Sequence, residues 1–241
     1  RERQQELALQ QQEKLQRAKL LLDLEENLEG FAQSVRAVMR WKKNGSLAGV
    51  HGTVASLLTV EEPYTLAIET ALGGALQNLV VEDEGTAKSC IRRLQQERAG
   101  RATFLPLTSI KGNMLQEQGL AGCPGYLGLG PELVKCDPRY EGVVRFLLGR
   151  IVIAEDLDAA GEIAKRFGYR FRVVSLDGQQ VNAGGSFTGG SAARERGLLS
   201  RKNEAERLLQ EGRALDGQKS ALAAEADGLS AEIGRLKAEM K

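Results

Sequence analysis

The run Gly184-Gly185-Ser186-Phe187-Thr188-Gly189-Gly190-Ser191 is the strongest local signal in this sequence. Four residues separate Gly184 from Gly189, the gap found in loops that cradle phosphate with backbone N–H groups. Gly190 stands where the phosphate-reaching lysine should be, so the loop lacks its charge. Three readings fit these residues. One is a nucleotide loop without its lysine. Another is a flexible linker. The third is a subunit contact, in which glycines permit positive φ or let another backbone come close.

Other chemistry-bearing residues are weaker signals. Glu82-Asp83 and Glu155-Asp156 could act as paired carboxylates. Each pair follows an apolar strand-like run and precedes a helical pattern, which suits helix N-terminal charge instead. His51 is the single histidine, and a strand-end structural role fits it better than catalysis. Gly128-Leu129-Gly130 is half a dinucleotide fingerprint without its third glycine. Cys90 lies on the apolar face of a helical pattern and reads as core. Cys90, Cys123 and Cys136 are odd in number and form no CxxC pair, which argues against a disulfide framework or a zinc site. A reducing, cytosolic compartment follows. No catalytic residue, metal site or cofactor is expected in this segment.

Basic residues gather at two places. Arg40, Lys42 and Lys43 form one cluster, and Arg194, Arg196, Arg201 and Lys202 the other. A solvated collar and a sequence-independent, salt-sensitive phosphate patch both fit. Arg170 and Arg172 are a further candidate for the patch. Trp41 could stack on a base or pack where an arm meets a globular domain. The net charge is only +1, so any nucleic-acid surface must be local.

These residues are held by a chain with heptads at its ends and none in its middle. Leu208, Leu215, Leu222, Leu229 and Leu236 recur every seventh residue, and Ala205, Ala226, Ile233 and Met240 hold the complementary core position, four residues after one Leu and three before the next. Leu21, Leu24, Leu28, Phe31, Val35 and Val38 step by three and four. Such seams make helices that supercoil around a partner. Residues 1–43 predict one helix ending at Asn44-Gly45-Ser46, and 198–241 predict a second. Their matched lengths predict an antiparallel pairing within the chain, with Leu28 near Leu215.

The middle contains an internal repeat. Leu79-Val80-Val81-Glu82-Asp83 matches Val152-Ile153-Ala154-Glu155-Asp156, and helical faces through Cys90 and Ile163 follow. Second strands are expected at Arg101–Leu105 and Arg170–Val174. Strand, helix, strand favours a parallel pair with a crossover helix. Helices are expected ahead of each unit, at Tyr64–Leu72 and Tyr140–Leu148, and a strand at about 52–58. Asp177-Gly178 signals a turn closing onto Val181. No run of ~18 apolar residues is present, so no membrane span or membrane partner is expected. The chain opens at Arg1 without a signal-peptide pattern and reads as an internal segment of a longer protein.

Several stretches together resemble the hinge domain of structural maintenance of chromosomes (SMC) proteins, most closely the bacterial branch. They are Gly49-Val50-His51-Gly52, Ala67-Ile68-Glu69-Thr70-Ala71-Leu72-Gly73, Gly100-Arg101-Ala102-Thr103-Phe104-Leu105-Pro106-Leu107 and the 184–190 glycine run. The resemblance covers about 47–191. It implies a mixed α/β hinge with two subdomains, about 47–125 and 126–191, on an intramolecular antiparallel coiled coil whose arms are 1–46 and 192–241. It implies homodimerisation through sheet edges, with Gly184, Gly185, Ser186, Thr188, Gly189 and Gly190 at the interface. It implies contact with single- or double-stranded DNA near the coiled-coil junction, cytoplasmic location at the nucleoid, and ATPase heads with kleisin-type partners at the far ends of the arms. Two other classes stay open on the residues alone: a nucleotide-binding or hydrolytic domain inserted in a coiled coil, and a purely structural spacer.

Overall fold

The computed structural model describes residues 2–190 and 197–239. Helix α1 (Glu2–Glu26) and helix α2 (Gln33–Lys43) precede strand β1 (Val50–Thr53), the short helix α3 (Val54–Leu57) and strand β2 (Thr59–Val60). Helix α4 (Thr65–Leu72) leads to β3 (Leu79–Val81), α5 (Glu84–Gln96) and β4 (Phe104–Pro106). A similar order then recurs as β5 (Tyr126–Leu129), β6 (Val134–Lys135), α6 (Glu141–Leu148), β7 (Ile151–Ala154), α7 (Leu157–Arg166) and β8 (Arg172–Ser175). Strands β9 (Gln180–Val181) and β10 (Phe187–Thr188) precede the long helix α8 (Leu198–Glu239). The chain forms two compact units, one of Leu28–Ser200 and one pairing the residues up to Asn27 with those from Arg201.

In the globular unit the repeat is visible in the ladder. β3 pairs parallel with β4, Leu79 opposite Phe104, and β7 pairs parallel with β8, Ile151 opposite Arg172. An antiparallel strand flanks each pair: β1 beside β3 and β5 beside β7. The sheet orders are β1-β3-β4 and β10-β9-β8-β7-β5, while β2 and β6 pair with each other. Each crossover helix opens on an aspartate. The Thr86 N–H donates to the Asp83 carboxylate at 2.7 Å, and the Ala159 N–H to Asp156 at 2.8 Å. The Thr86 bond holds the Asp83 carboxyl below the usual carboxylate range. Asp83 and Asp156 thus cap the helix N-termini that their position after a strand suggested. Gly49 and Gly125, at φ +78° and +72°, occupy matching positions before the bulged strands. A Cβ on Gly125 would lie 2.4 Å from the Ala159 Cβ, so close helix approach requires glycine there.

Two apolar clusters divide the second sheet by side-chain alternation. Val152, Ala154 and Val173 face α7 with Ile163 and Phe171. Ile151, Ile153 and Val174 face the larger cluster, which also holds Ile68, Leu72, Leu79, Val81, Val143 and Leu148. Cys90 is fully buried there, and burial pushes its thiol up to about 11.

Three expectations change. The single helix over 1–43 is two helices, with Leu28 at φ +53° and Gly30 at φ +92° between them. The cause is a change of partner: Leu21 and Leu24 pack in the coiled coil, whereas Phe31, Val35 and Val38 join the globular core. The compact unit accordingly runs wider than 47–191. The strand expected at 52–58 ends at Thr53, whose hydroxyl accepts from the Ser56 N–H at 3.2 Å and starts α3. The second strands begin later than expected, at Phe104 and Arg172. The Asp177-Gly178 turn is as expected, with Gly178 at φ +81° and Val181 opposite Val173.

In the other unit α1 and α8 run antiparallel. Lys14 Nζ donates to Glu211 Oε2 at 2.5 Å, Gln11 Nε2 to Asp216 Oδ1 at 3.1 Å, and Lys219 Nζ to Gln11 Oε1 at 3.0 Å. Ala18 and Leu21 pack on Ala205 and Leu208. Leu215 therefore faces the turn near Gln11, and the expected partner near Leu28 lies nearly five helical turns away along the sequence. Met240 lies outside the described residues. Cysteines at Lys14 and Glu211, in a Cys136→Ser chain, should crosslink within one polypeptide under mild oxidation. Moving the second cysteine to Leu222, ~16 Å along α8, should abolish the product. Purely intermolecular products would overturn the pairing.

Candidate functional site

The glycine run folds into a hairpin and does not remain a loop. Phe187 pairs with Val181 and Thr188 with Gln180, which makes β10 the outermost strand of its sheet. The Asn182 N–H donates to the Ser186 carbonyl at 2.8 Å, and Asn182 Nδ2 donates to Ser186 Oγ at 3.2 Å and Thr188 Oγ1 at 3.0 Å. Gly184, Gly185 and Gly190 sit at φ +88°, +92° and +133°, where an L side chain is strained. At Gly189 a Cβ would lie 2.0 Å from Gln179 Oε1, so a side chain there would displace that amide. Ser191 lies outside the described residues.

The hairpin also answers the phosphate reading. Gly184 N–H donates to the Tyr169 carbonyl, Gly185 N–H to the Asn182 carbonyl and Gly190 N–H to Gln179 Oε1. These amides are engaged within the chain and do not form the open cradle a phosphate needs.

The two larger sheets differ at their edges. β1 and β5 are each interrupted by a register shift, between Val50 and Gly52 and between Tyr126 and Gly128. Bulged edges pair poorly with another strand. β4 and β10 are regular. On β4, the Thr103 carbonyl accepts from Leu79 N–H and the Leu107 N–H donates to Val81, so Phe104 and Pro106 point their main chain away from β3. On β10, the hydrogen-bonded pairs fall at residues 186 and 188, so the main chain of Phe187 points outward. Phe187 is 59% exposed. Phe187, Gln179 and Asn182 were absent from the sequence-derived interface. An aromatic flanked by threonine inside a glycine run was the available strand signal.

The basic residues separate between the units. Arg40, Lys42 and Lys43 occupy the last turn of α2 in the globular unit. Gln33, Arg36, Arg40 and Lys43 repeat at helical spacing and are all exposed or nearly so, which adds Arg36 to one basic stripe. Lys42 lies off that stripe, and its Nζ donates to the His51 carbonyl at 2.5 Å. Arg201 and Lys202 belong to the coiled-coil unit, half-buried at the start of α8. Arg194 and Arg196 lie outside the described residues. Trp41 is 4% exposed, and the Arg93 guanidinium lies 4.3 Å over its ring, so it packs and cannot stack on a base. Arg170 is bridged to Glu117, and Arg172 Nη2 donates to the Ala71 carbonyl. His51 serves structure, its ring nitrogens meeting the Tyr140 hydroxyl at 3.1 Å and Glu82 Oε2 at 2.8 Å. Among the described residues no group of His, Cys, Asp and Glu is placed to hold a metal ion, and no helix is long and apolar enough to cross a membrane.

The helices that enter and leave the unit are capped from one segment. Leu199 N–H donates to Glu69 Oε1 at 3.1 Å and Ser200 Oγ to Glu69 Oε2 at 2.6 Å, which caps α8 from α4. Ala32 N–H donates to Gln77 Oε1 at 2.8 Å at the start of α2.

A family model described as the SMC proteins flexible hinge domain matches residues 47–164. The chromosome partition protein Smc of Bacillus subtilis is 41% identical over 191 residues, covering 78% of this chain and 16% of that protein. The Smc protein of Desulfitobacterium hafniense is 38% identical over 241 residues, covering 98% of this chain and 20% of that protein. The chain thus spans about a sixth to a fifth of the length of these curated relatives. The Geobacillus stearothermophilus SMC hinge domain, solved as an asymmetric dimer, superposes with a TM-score of 0.84 at 36% identity, covering 96% of this chain and 94% of that one. The Pyrococcus furiosus SMC hinge domain superposes with a TM-score of 0.57 at 33% identity, over 76% of this chain and 92% of that one.

Gly185→Ala tests the hairpin. A Cβ at φ +92° should cost about 1–3 kcal/mol locally. Amide exchange at 182–190 should speed up while far-UV circular dichroism stays unchanged. Unaltered exchange would show that the backbone does not take this conformation.

Proposed function

Since the chain belongs to the SMC flexible hinge family, we propose that it is the homodimerisation hinge of a bacterial chromosome partition protein, joining two copies through the edges β4 and β10. The observation that carries this reading is the contrast between edges. Two are bulged, and the two regular ones present unpaired main chain beside Phe104 and Phe187. Strand addition gives directional hydrogen bonds, and pockets for alternate side chains give specificity. If β10 of each copy pairs with β4 of the other, the contact is made twice and closes under two-fold symmetry. That closure consumes the regular edge of each of these two sheets. Pro106 lacks an N–H, which limits how far a strand can extend along β4.

Contact with DNA is the second part of the proposal. The stripe of Arg36, Arg40 and Lys43 on α2 supports it, since exposed cations at helical spacing can follow a phosphate backbone without reading bases. Single- and double-stranded DNA both meet that requirement. A cytoplasmic place at the nucleoid follows from the same reading. The matched segment is a hinge and not an ATPase head, so the role is mechanical; heads and kleisin-type partners would belong to other parts of the full protein.

Phe187→Asp tests the first part. Placing a charge in a strand junction should raise the dimer dissociation constant by at least about tenfold, read by sedimentation equilibrium across concentrations. A variant as dimeric as the parent would move the interface to another edge. Arg36→Glu with Arg40→Glu and Lys43→Glu tests the second. DNA affinity should fall, and the slope of log affinity against log salt should shrink by ~0.7–0.9 for each phosphate that is no longer neutralised. An unchanged slope would take the patch off α2.

A further inference from the structure

The ladder between β9 and β10 is only two residue pairs long, Phe187 with Val181 and Thr188 with Gln180. Its next partner position would be Gly178, but the chain turns there, with Gly178 at φ +81° and its N–H donated to the Ser175 carbonyl. Gly190 is therefore left without a backbone partner across the hairpin. The Gln179 side chain fills that place. Its Oε1 accepts from the Gly190 N–H at 2.7 Å, and its Nε2 donates to the Gly190 carbonyl at 3.2 Å. A primary amide offers the same donor and acceptor as a peptide group. The partners fix its orientation, because a flipped amide would set donor against donor. The amide sits close against residue 189, where a Cβ would meet Oε1 at 2.0 Å and push it aside.

We infer that Gln179 is a positioning residue for the dimer edge: its side-chain amide acts as one more rung of the sheet and holds β10 extended before a partner arrives. Asn182 ties the strand in another way, its Nδ2 donating to the hydroxyls Ser186 Oγ and Thr188 Oγ1. Between the two amides lies Phe187, whose main chain faces outward. An edge ordered in the free subunit does not have to be ordered on binding, and the saving appears as affinity. The inference rests on the dimer reading above.

The test uses the full chain and three variants. Gln179→Met keeps the shape and removes both hydrogen bonds. Gln179→Glu keeps the acceptor for Gly190 N–H and sets an oxygen against the Gly190 carbonyl. Gly189→Ala displaces the amide. Dissociation constants come from sedimentation equilibrium, and exchange of the Gly190 amide from NMR on the same samples. The expected order of dissociation constants is parent, then Glu, then Met, with Met about tenfold above the parent, the factor set by one to two net hydrogen bonds. Gly189→Ala should match Met, and Gly190 amide exchange should rise in the same order. Far-UV circular dichroism and the melting temperature, which report the cores, should not move. A parent chain that is monomeric at every concentration overturns the dimer reading and this inference with it. A dimeric parent with Met and Glu variants of equal affinity overturns the inference alone. If the Met variant fails to fold, the Glu variant decides, because its main-chain acceptor contact survives.

Discussion

The second sheet is buried on both faces, and the rest of the globular unit is arranged to satisfy that constraint. A crossover helix covers one face of a parallel pair. Helix α7 does this for β7 and β8 through Val152, Ala154 and Val173. The opposite face, made of Ile151, Ile153 and Val174, needs a cover that the strand–helix–strand unit cannot supply for itself. Ile68 and Leu72 of α4 and Leu148 of α6 lie in the same cluster and complete it. The sequence halves therefore share one core and cannot be cut apart at residue 125 without exposing it. Helix α4 becomes the common mount. Arg172 of β8 donates to the Ala71 carbonyl, with its guanidinium pushed below its usual range by burial. The Gly178 turn sits against Leu66 and Thr70, and Glu69 caps the first turn of α8. One eight-residue helix thus holds the sheet, the turn that launches β9 and β10, and the root of an arm.

Edge control follows from the same repeat. Both halves place a glycine at matching points of their first strand, Gly52 and Gly128, and both strands shift register there. The repeat therefore protects one edge in each of these two sheets. The opposite edges diverged: the first half stops at β4, whereas the second continues through β9 to β10. A chain with identical halves would offer two identical edges. This chain offers two different ones, and their mutual pairing closes on two copies where a two-fold axis relates them.

What could be read from the sequence was whatever repeats locally. The repeat at 79–83 and 152–156, the capping aspartates, the Asp177-Gly178 turn and the heptad residues of α8 all carry their signal within a few residues. Features set by distant partners were not legible. The heptad-like run from Leu21 to Val38 is continuous in sequence, yet Leu24 packs in the coiled coil and Phe31 in the globular core, and no local spacing marks where the partner changes. Trp41 beside Lys42 has the sequence context of a base-stacking residue, but Arg93, far along the chain, covers its ring. β10 was hidden because glycine has low strand propensity, and its pairing rests on Gln179 and Asn182, whose amides have no sequence signature. The stripe containing Arg36 is readable at helical spacing, but the clustered lysines beside it form the denser local signal at the end of the helix.

The coiled coil shows the same division between local pattern and partner. Leu7, Gln11, Lys14, Ala18 and Leu21 keep strict steps of four, three, four and three along α1, so two polar residues occupy seam positions. Apolar periodicity alone loses the seam there. The facing stretch of α8 is correspondingly irregular, with Gly212 and Lys219 on its own seam. Lys219 and Asp216 bond Gln11, and Glu211 bonds Lys14, which holds the Glu211 and Asp216 carboxyls below the usual range. These groups are part-exposed, and such pairs add little to stability. Their value is in register. A slide of the two helices by one heptad would set Gln11 against Leu209 and Gly212, or against Ala223 and Ala226, in place of Asp216 and Lys219. Apolar contacts thus hold the arms together, and the polar layer selects the alignment in which they meet.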